Sequence, residues 1–169
     1  MTATTRPSVR GTPRPAATEA KTGRILAVDY GRKSIGLALS DELGLTARPL
    51  VNFVRTNRRN DLRRLGEICR EHAVGHILVG HPLHMTGEAG EMANEAARFA
   101  GRLRKALGIE VELLDERLTS WEAGRTMAEM KPSSWRRRGP LDDVAAAILL
   151  RDYLDRKRER TQVATVGRD

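Results

Sequence analysis

The hydrophobic periodicity of this chain changes after residue 54, and that change restricts the folds that the chain can adopt. Three short apolar runs come first, at residues 25–28, 34–39 and 50–54. The turn-rich segment 29–33 predicts that the first two runs pair as a hairpin. Beyond residue 54 the apolar residues alternate between helical spacing and further short runs. Strands followed by such an alternation predict a single α/β domain with a mixed sheet.

Helices and buried strands are expected in turn through the second part of the chain. Helical spacing covers residues 61–72, 88–107, 119–130 and 140–154. The intervening strands, at residues 76–79 and 111–114, are apolar, which is typical of strands that are covered on both faces. The predicted order of elements is therefore βββαβαβαα.

The two ends of the chain differ in composition from its middle. Residues 1–22 hold three prolines and four basic residues without an apolar run, which predicts a disordered basic arm. Residues 23–156 are the predicted domain, and residues 157–169 a charged tail. The sequence contains no apolar stretch suited to a signal peptide or a membrane helix, so we expect a cytoplasmic protein without membrane contact.

The charge of the chain favours an anionic partner. Thirty Lys and Arg residues against 22 Asp and Glu give a net charge of +8. A surface of this kind attracts polyanions, and arginine matches the geometry of phosphate oxygens. Nucleic acid is therefore the partner that we expect from composition.

Acidic residues stand at positions where an apolar pattern ends or should continue. Asp29 ends the first strand, Asp115 and Glu116 follow the last one, and Asp142 opens the final helix on its apolar stripe. Each has an ordinary alternative role as a turn former, a solvated strand end or a helix cap. Together they suit the oxygen-ligand chemistry of Mg²⁺ or Mn²⁺, and paired ions of this kind hydrolyse phosphodiester bonds.

Four segments carry a resemblance to a known family. They are Asp-Tyr-Gly-Arg-Lys-Ser-Ile-Gly-Leu-Ala-Leu-Ser-Asp at 29–41, Val-Gly-His-Pro-Leu at 79–83, Asp-Glu-Arg-Leu-Thr at 115–119 and Leu-Asp-Asp-Val-Ala-Ala at 141–146. In this order they resemble the motifs of the YqgF family, also called RuvX, whose members are pre-16S ribosomal RNA nucleases similar to Holliday junction resolvases. The resemblance covers about residues 24–153 and implies a ribonuclease H-like fold.

The resemblance also implies roles for the acids. Asp29, Glu116 and Asp142 are the expected catalytic and metal-binding residues, with Asp115 as the competitor of Glu116 because the register of a strand end cannot be read from sequence. The implied activity is metal-dependent processing of the 5′ end of pre-16S rRNA during ribosome biogenesis. Precursor rRNA is favoured over branched DNA, and the protein is expected to be a monomer or a homodimer.

Three alternatives to an rRNA nuclease stay open from the sequence. One is a DNA endonuclease like the Holliday junction resolvases, which act as symmetric dimers on two-fold junctions. Another is an RNA-binding ribosome-assembly factor without catalysis. The third, a fragment of a sugar kinase or actin-like ATP-binding protein, is disfavoured because such proteins need two large domains.

Basic residues near the acids are the candidate nucleic-acid contacts. Arg32 and Lys33 follow Asp29 in the first turn, and Arg117 follows the acid pair, where it either clamps a phosphate or neutralises the acids. The loop 131–139 is predicted to be a mobile flap over the substrate, through Arg136, Arg137 and Arg138 beside Trp135. The basic run 55–64 is expected to be a solvated face. His81, which departs from the family's usual Leu, and His84 are expected to be loop residues and not zinc ligands, because Pro82 separates them.

Overall fold

Five strands form one mixed sheet in the computed structural model, which describes residues 23–118 and 142–166. The strands lie in the order β3-β2-β1-β4-β5. They are β1 (Arg24–Tyr30), β2 (Ser34–Ser40), β3 (Ala47–Val54), β4 (Val74–His81) and β5 (Glu110–Asp115). Strands β1, β2 and β3 pair antiparallel, whereas β1 pairs parallel with β4, and β4 with β5. The predicted hairpin and the predicted mixed sheet are confirmed.

Three helices of the described residues pack on the sheet. They are α1 (Arg58–Glu71), α2 (Glu91–Leu107) and α3 (Asp142–Val166), and a short 3₁₀ turn, Glu116–Leu118, follows β5. Helix α1 connects β3 to β4, and α2 is the crossover connection between the parallel strands β4 and β5. Among the residues described, no helix is long and apolar enough to cross a membrane.

The hydrophobic core has two layers, one on each face of the sheet. Successive residues of β1 alternate between them: Leu26, Val28 and Tyr30 join the layer that includes residues of α1 and α2, whereas Ile25 and Ala27 join the layer under α3. The layer under α3 is rich in small side chains, namely Ala27, Ala38, Ala146 and Ala147. Small residues on both sides allow the helix to lie close to β1 and β2.

Several predicted boundaries differ from the observed ones. Strand β3 begins at Ala47, three residues earlier than predicted, because Pro49 is tolerated on an edge strand. Helix α1 begins at Arg58 because the Asn57 side chain accepts a hydrogen bond of 3.0 Å from the Asn60 N–H. Helix α3 continues to Val166, beyond the predicted end at residue 154. The predicted arm 1–22, helix 119–130 and loop 131–139 lie outside the described residues.

Candidate active site

The carboxyl ends of β1, β4 and β5 lie side by side at one edge of the sheet. Val28 of β1 pairs with Val79 of β4, and Gly80 of β4 pairs with Leu114 of β5. Asp29 therefore stands one residue beyond the last β1–β4 pair, beside Gly80. Ligands of open parallel sheets bind outside the carboxyl ends of the strands, which makes this edge the place to look for chemistry.

The alternation of β1 places Asp29 on the face that α3 covers. Ile25 and Ala27 belong to the core layer under α3, and a strand returns every second residue to the same face. Asp29 is the next residue of that series and is half-buried. A carboxylate in this position takes up space that an apolar residue would fill along the strand.

Gly80 makes room for Glu116 at the same edge. A Cβ atom at Gly80 would lie closer to Glu116 Oε1 than non-bonded atoms come, and 3.1 Å from Leu149 Cδ1 of α3. The Glu116 carboxylate therefore lies against the backbone of β4, between the end of β1 and helix α3. A residue with a side chain at position 80 would push this carboxylate away.

The surroundings of Glu116 raise the pKa of its carboxyl group. Burial, and then the negative charges of Asp29 and Asp115, raise the pKa of Glu116 from its usual 4.5 to about 7. Burial and neighbouring negative charge both favour the protonated form of Glu116. Perturbed carboxylates of this kind are typical of functional sites.

Asp115 is held differently from Glu116. Its carboxylate accepts hydrogen bonds from Arg117 Nη2 at 2.6 Å, from Arg117 Nε at 3.0 Å and from the Arg117 backbone N–H at 3.0 Å. These hydrogen bonds from Arg117 keep the pKa of Asp115 below its usual value. Glu116, which lies over Gly80 towards Asp29, is therefore better placed than Asp115 to be the second acid of the predicted set, between Asp29 and Asp142 in the chain.

Asp142 is the first residue of α3, and its side chain lies outside the described part of the structure. Leu149, whose side chain reaches the Gly80 and Glu116 position, comes seven residues later on the same helix. Seven residues are close to two turns, so the sequence places Asp142 on the same side of α3 as Leu149. Within residues 23–118 and 142–166, no cluster of three or more Asp, Glu, His or Cys residues is found that could hold a metal ion.

The turn after Asp29 is fixed by Arg55. The Arg55 guanidinium donates to the carbonyl oxygens of Gly31 at 3.0 Å and Arg32 at 3.3 Å, and it lies over the Tyr30 ring, 4.4 Å from its centroid. Arg55 also forms an ion pair of 3.3 Å with Asp61, which is only 3% exposed. The expectation that the run 55–64 is a solvated face is wrong for Arg55 and Asp61, because their charges neutralise each other against the turn.

Removing this ion pair should destabilise the fold. Arg55→Ala leaves a buried carboxylate without its cation, so we expect the free energy of unfolding to fall by about 3 kcal/mol. Arg64→Ala is the matched control, because Arg64 also lies over an aromatic ring, that of Phe53 at 4.5 Å, but has no such role at the turn. Its cost should be about 0.5–1 kcal/mol. Urea denaturation measures both.

A double variant separates stability from positioning. Arg55→Met with Asp61→Leu replaces the pair by apolar residues and should recover most of the lost stability. It should still lower the rate of any reaction that uses Asp29 about tenfold, because the Gly31 and Arg32 carbonyls lose their donor and the end of β1 loosens. A double variant with the wild-type rate would show that Arg55 does not position Asp29.

Residues 23–156 match the family model described as "RuvX: Holliday junction resolvase". The chain belongs to the RuvX family. Relatives named "Putative pre-16S rRNA nuclease" include the protein of Myxococcus xanthus, 43% identical over 80% of this chain and 89% of the relative. The Geobacillus kaustophilus relative with the same name is 42% identical over 80% of this chain and 99% of its own length. The predicted family and the predicted nuclease class are confirmed.

The fold is similar to that of a solved resolvase. RuvC of T. thermophilus, in a complex with a Holliday junction substrate, aligns with a TM-score of 0.53 at 14% identity. The alignment covers 80% of this chain and 96% of that chain. At this level of identity the likeness concerns the fold, and the predicted ribonuclease H-like fold is confirmed.

The basic residues predicted to contact nucleic acid are held to different degrees in this member of the RuvX family. Arg32 forms an exposed ion pair of 2.6 Å with Glu91 at the start of α2, and Lys33 is exposed in the same turn. Arg117 forms an ion pair of 2.6 Å with Asp115, and a contact of Arg117 with phosphate stays a prediction. Arg136, Arg137 and Arg138 lie outside the described residues.

The sequence alone did not reveal the roles of Gly80, Arg55 and Asp61. Gly80 was visible only as the end of an apolar strand, although a glycine there is what lets Glu116 approach β4. Asp61 shares the buried stripe of α1 with Leu65 and Cys69 at spacings of four and eight residues. An acid on a buried stripe is the pattern that singled out Asp142, and it could have revealed Asp61 too.

Proposed function

We propose that this protein hydrolyses phosphodiester bonds of precursor 16S rRNA, with divalent metal ions held by Asp29, Glu116 and Asp142. The observation that carries the proposal is the pair of carboxylates, Asp29 and Glu116, which come from the ends of β1 and β5 on either side of β4, with Glu116 lying against Gly80. The names of the relatives support an RNA precursor as the substrate.

The donor set fits a hard divalent cation. Such ions prefer carboxylate oxygens, and a bound cation would offset the negative charges of Asp29 and Asp115 that help to raise the Glu116 pKa. When bound, Mg²⁺ or Mn²⁺ activates the attacking water and stabilises the leaving oxygen of the phosphodiester. Nucleases of this fold family generally use divalent metal ions.

The remaining residues of the site orient these groups. The ion pair between Asp115 and Arg117 holds the chain on both sides of Glu116, so the carboxylate keeps its place over β4. Arg55 holds the turn beyond Asp29 in the same way. Lys33 and Arg32, exposed in that turn, would contact the phosphates of the bound strand. Arg32 would exchange its exposed ion pair with Glu91 for a phosphate at a small cost in free energy.

The test is a cleavage assay with matched substrates. End-labelled RNA that spans the 5′ end of 16S rRNA, a four-way DNA junction and the linear strands of that junction are incubated with Mg²⁺, Mn²⁺ or EDTA. We expect cleavage of the RNA with either metal, none with EDTA, and little cleavage of either DNA. The oligomeric state is measured on the same preparation.

The other outcomes separate the alternatives. Symmetric cleavage of the junction by a dimer, with intact RNA, would assign the protein to the resolvases, which the description of the family model favours. Tight RNA binding without cleavage under any metal condition would favour the alternative that the protein is an RNA-binding ribosome-assembly factor without catalysis. Each result would overturn a different part of the proposal.

A further inference from the structure

The segment between β4 and α2 forms a small closed loop with an apolar tip. Leu83 and Ala89 form an isolated β-bridge across its base. Inside the bridge, the His84 N–H donates to the Glu88 carbonyl at 2.9 Å, and the Gly87 N–H donates to the His84 carbonyl at 2.8 Å. Met85 stands at the tip with 88% of its surface exposed. The bridge and these hydrogen bonds fix the position of the tip, so no packing against the hydrophobic core is needed.

The tip is tied to the candidate active site by Arg117. The Arg117 Nη1 donates to the Met85 carbonyl at 3.4 Å, while its Nε and Nη2 hold Asp115. The same guanidinium lies against Gly87, whose φ of +92° suits glycine and where an added Cβ would come within 3.2 Å of Nη1. Glu116 lies between Asp115 and Arg117 in the chain. Met85 is therefore fixed beside the carboxylate site.

Met85 can be compared with Leu43, another exposed apolar side chain of the described residues. Leu43, at 79% exposure, is in the turn between β2 and β3, at the opposite end of the strands. Single exposed apolar residues are common and need no explanation by themselves. Met85 is distinguished by a closed, hydrogen-bonded loop and by its link through Arg117 to the acids.

We propose that Met85 packs against a nucleobase next to the cleaved phosphate and so positions the strand at Asp29 and Glu116. This inference rests on the proposed function. A thioether is flexible and polarisable, so it makes contacts with the face of any base and requires no particular sequence. The basic residues hold phosphates, whereas Met85 holds a base, and two kinds of contact fix the strand in both position and rotation.

The experiment combines a protein variant with a change in the substrate. Met85→Ala, Met85→Phe and the control Leu43→Ala are compared with the wild type on a fluorescein-labelled single-stranded RNA that spans the cleavage position. Each nucleotide near that position is replaced in turn by an abasic nucleotide. Binding is measured with Ca²⁺ in place of Mg²⁺, and cleavage with Mg²⁺. Binding thus reports on Met85 whether or not the chemistry proceeds.

We expect Met85→Ala to weaken binding of the intact RNA about fivefold, as the loss of one sulfur–aromatic contact predicts. One abasic position should weaken wild-type binding by the same factor and leave the Met85→Ala variant unaffected. Met85→Phe should restore binding, since an aromatic ring stacks on bases. Leu43→Ala should match the wild type throughout.

Two results would overturn the inference. Equal binding by Met85→Ala and the wild type, or a deficit of Met85→Ala that persists at every abasic position, would show that Met85 contacts no base, while normal cleavage leaves the nuclease proposal intact. A wild-type protein that neither binds nor cleaves RNA would overturn both proposals together.

Discussion

Glu116→Gln should lower the rate of metal-dependent cleavage by about a thousandfold, whereas Asp115→Asn should lower it by about tenfold or less. Under the proposed function Glu116 is a metal ligand, and the loss of such a ligand removes several kcal/mol of transition-state stabilisation. Asp115 instead accepts hydrogen bonds from Arg117, so its amide variant loosens the strand end without removing a ligand. Initial rates with saturating Mg²⁺ measure both variants.

Measurements of the free energy of unfolding should show that the fold of Glu116→Gln is intact. The comparison depends on how Glu116 affects the stability of the wild type. Glu116 has a folded-state pKa of about 7 against a usual 4.5, so between these values the folded protein holds a proton that the unfolded chain has released. The metal-free wild type therefore loses stability as the pH rises through this window, and the loss is complete above it. Because the Glu116 side chain is half-buried and solvent screens part of the effect, we expect it to be about 1–2 kcal/mol.

Glu116→Gln should remove this dependence. Urea denaturation in EDTA should find the variant more stable than the wild type by about 1–2 kcal/mol near pH 8, and similar to it near pH 5. If Asp115→Asn abolished cleavage and Glu116→Gln did not, the middle position would belong to Asp115. A Glu116→Gln variant less stable than the wild type in EDTA near pH 8 would instead show that the carboxylate is not under electrostatic strain.

Gly80→Ala should lower the cleavage rate by about a hundredfold through the addition of one methyl group. The new Cβ would collide with Glu116 Oε1 and come within 3.1 Å of Leu149 Cδ1, so the carboxylate must move away from Asp29. Displacement of a reacting group by about 1 Å is enough for an effect of this size. Stability should change by less than about 2 kcal/mol, because the side chain of Glu116 can turn towards solvent.

Gly101→Ala provides the control for this substitution. Gly101 lies in α2 with no atom within 4 Å of the Cβ position, so alanine there should raise stability by up to about 1 kcal/mol and leave the rate unchanged. The double variant Gly80→Ala with Glu116→Gln should have a cleavage rate only a little lower than that of Glu116→Gln alone, since both substitutions act on one carboxylate. A Gly80→Ala variant with the wild-type rate would mean that catalysis does not need Glu116 over β4.

Much of the fold was predictable because its elements follow local patterns. The runs that became β1, β2, β4 and β5 are apolar and short, and the helices α1 and α2 show regular helical spacing. Boundaries were predicted less well where a single hydrogen bond or an edge position decides them, as at Asn57 and Pro49. Helix α3 continues past its apolar stripe into a charged segment, where the periodicity of hydrophobic residues gives no guide.

Part of the candidate site was also predictable from the sequence, and part of it was not. The sequence by itself marked Asp29, the acid pair and Asp142, because charges that interrupt apolar patterns are visible without a structure. The choice between Asp115 and Glu116 needed the tertiary structure, since it depends on which carboxylate Arg117 engages and which one lies over Gly80. The contact between Glu116 and Gly80 joins residues that are more than thirty positions apart in the chain.

What the sequence determined about this protein is therefore its family, its secondary structure and the identity of its acidic residues, because these depend on residue type and local spacing. Only the tertiary structure decided how the acids are placed relative to one another. Packing brings Glu116 against β4, buries it beside Asp29 and raises its pKa, and it places the Arg55–Asp61 pair under the turn. Burial and electrostatic coupling are properties of neighbours in space, and a sequence lists neighbours only along the chain.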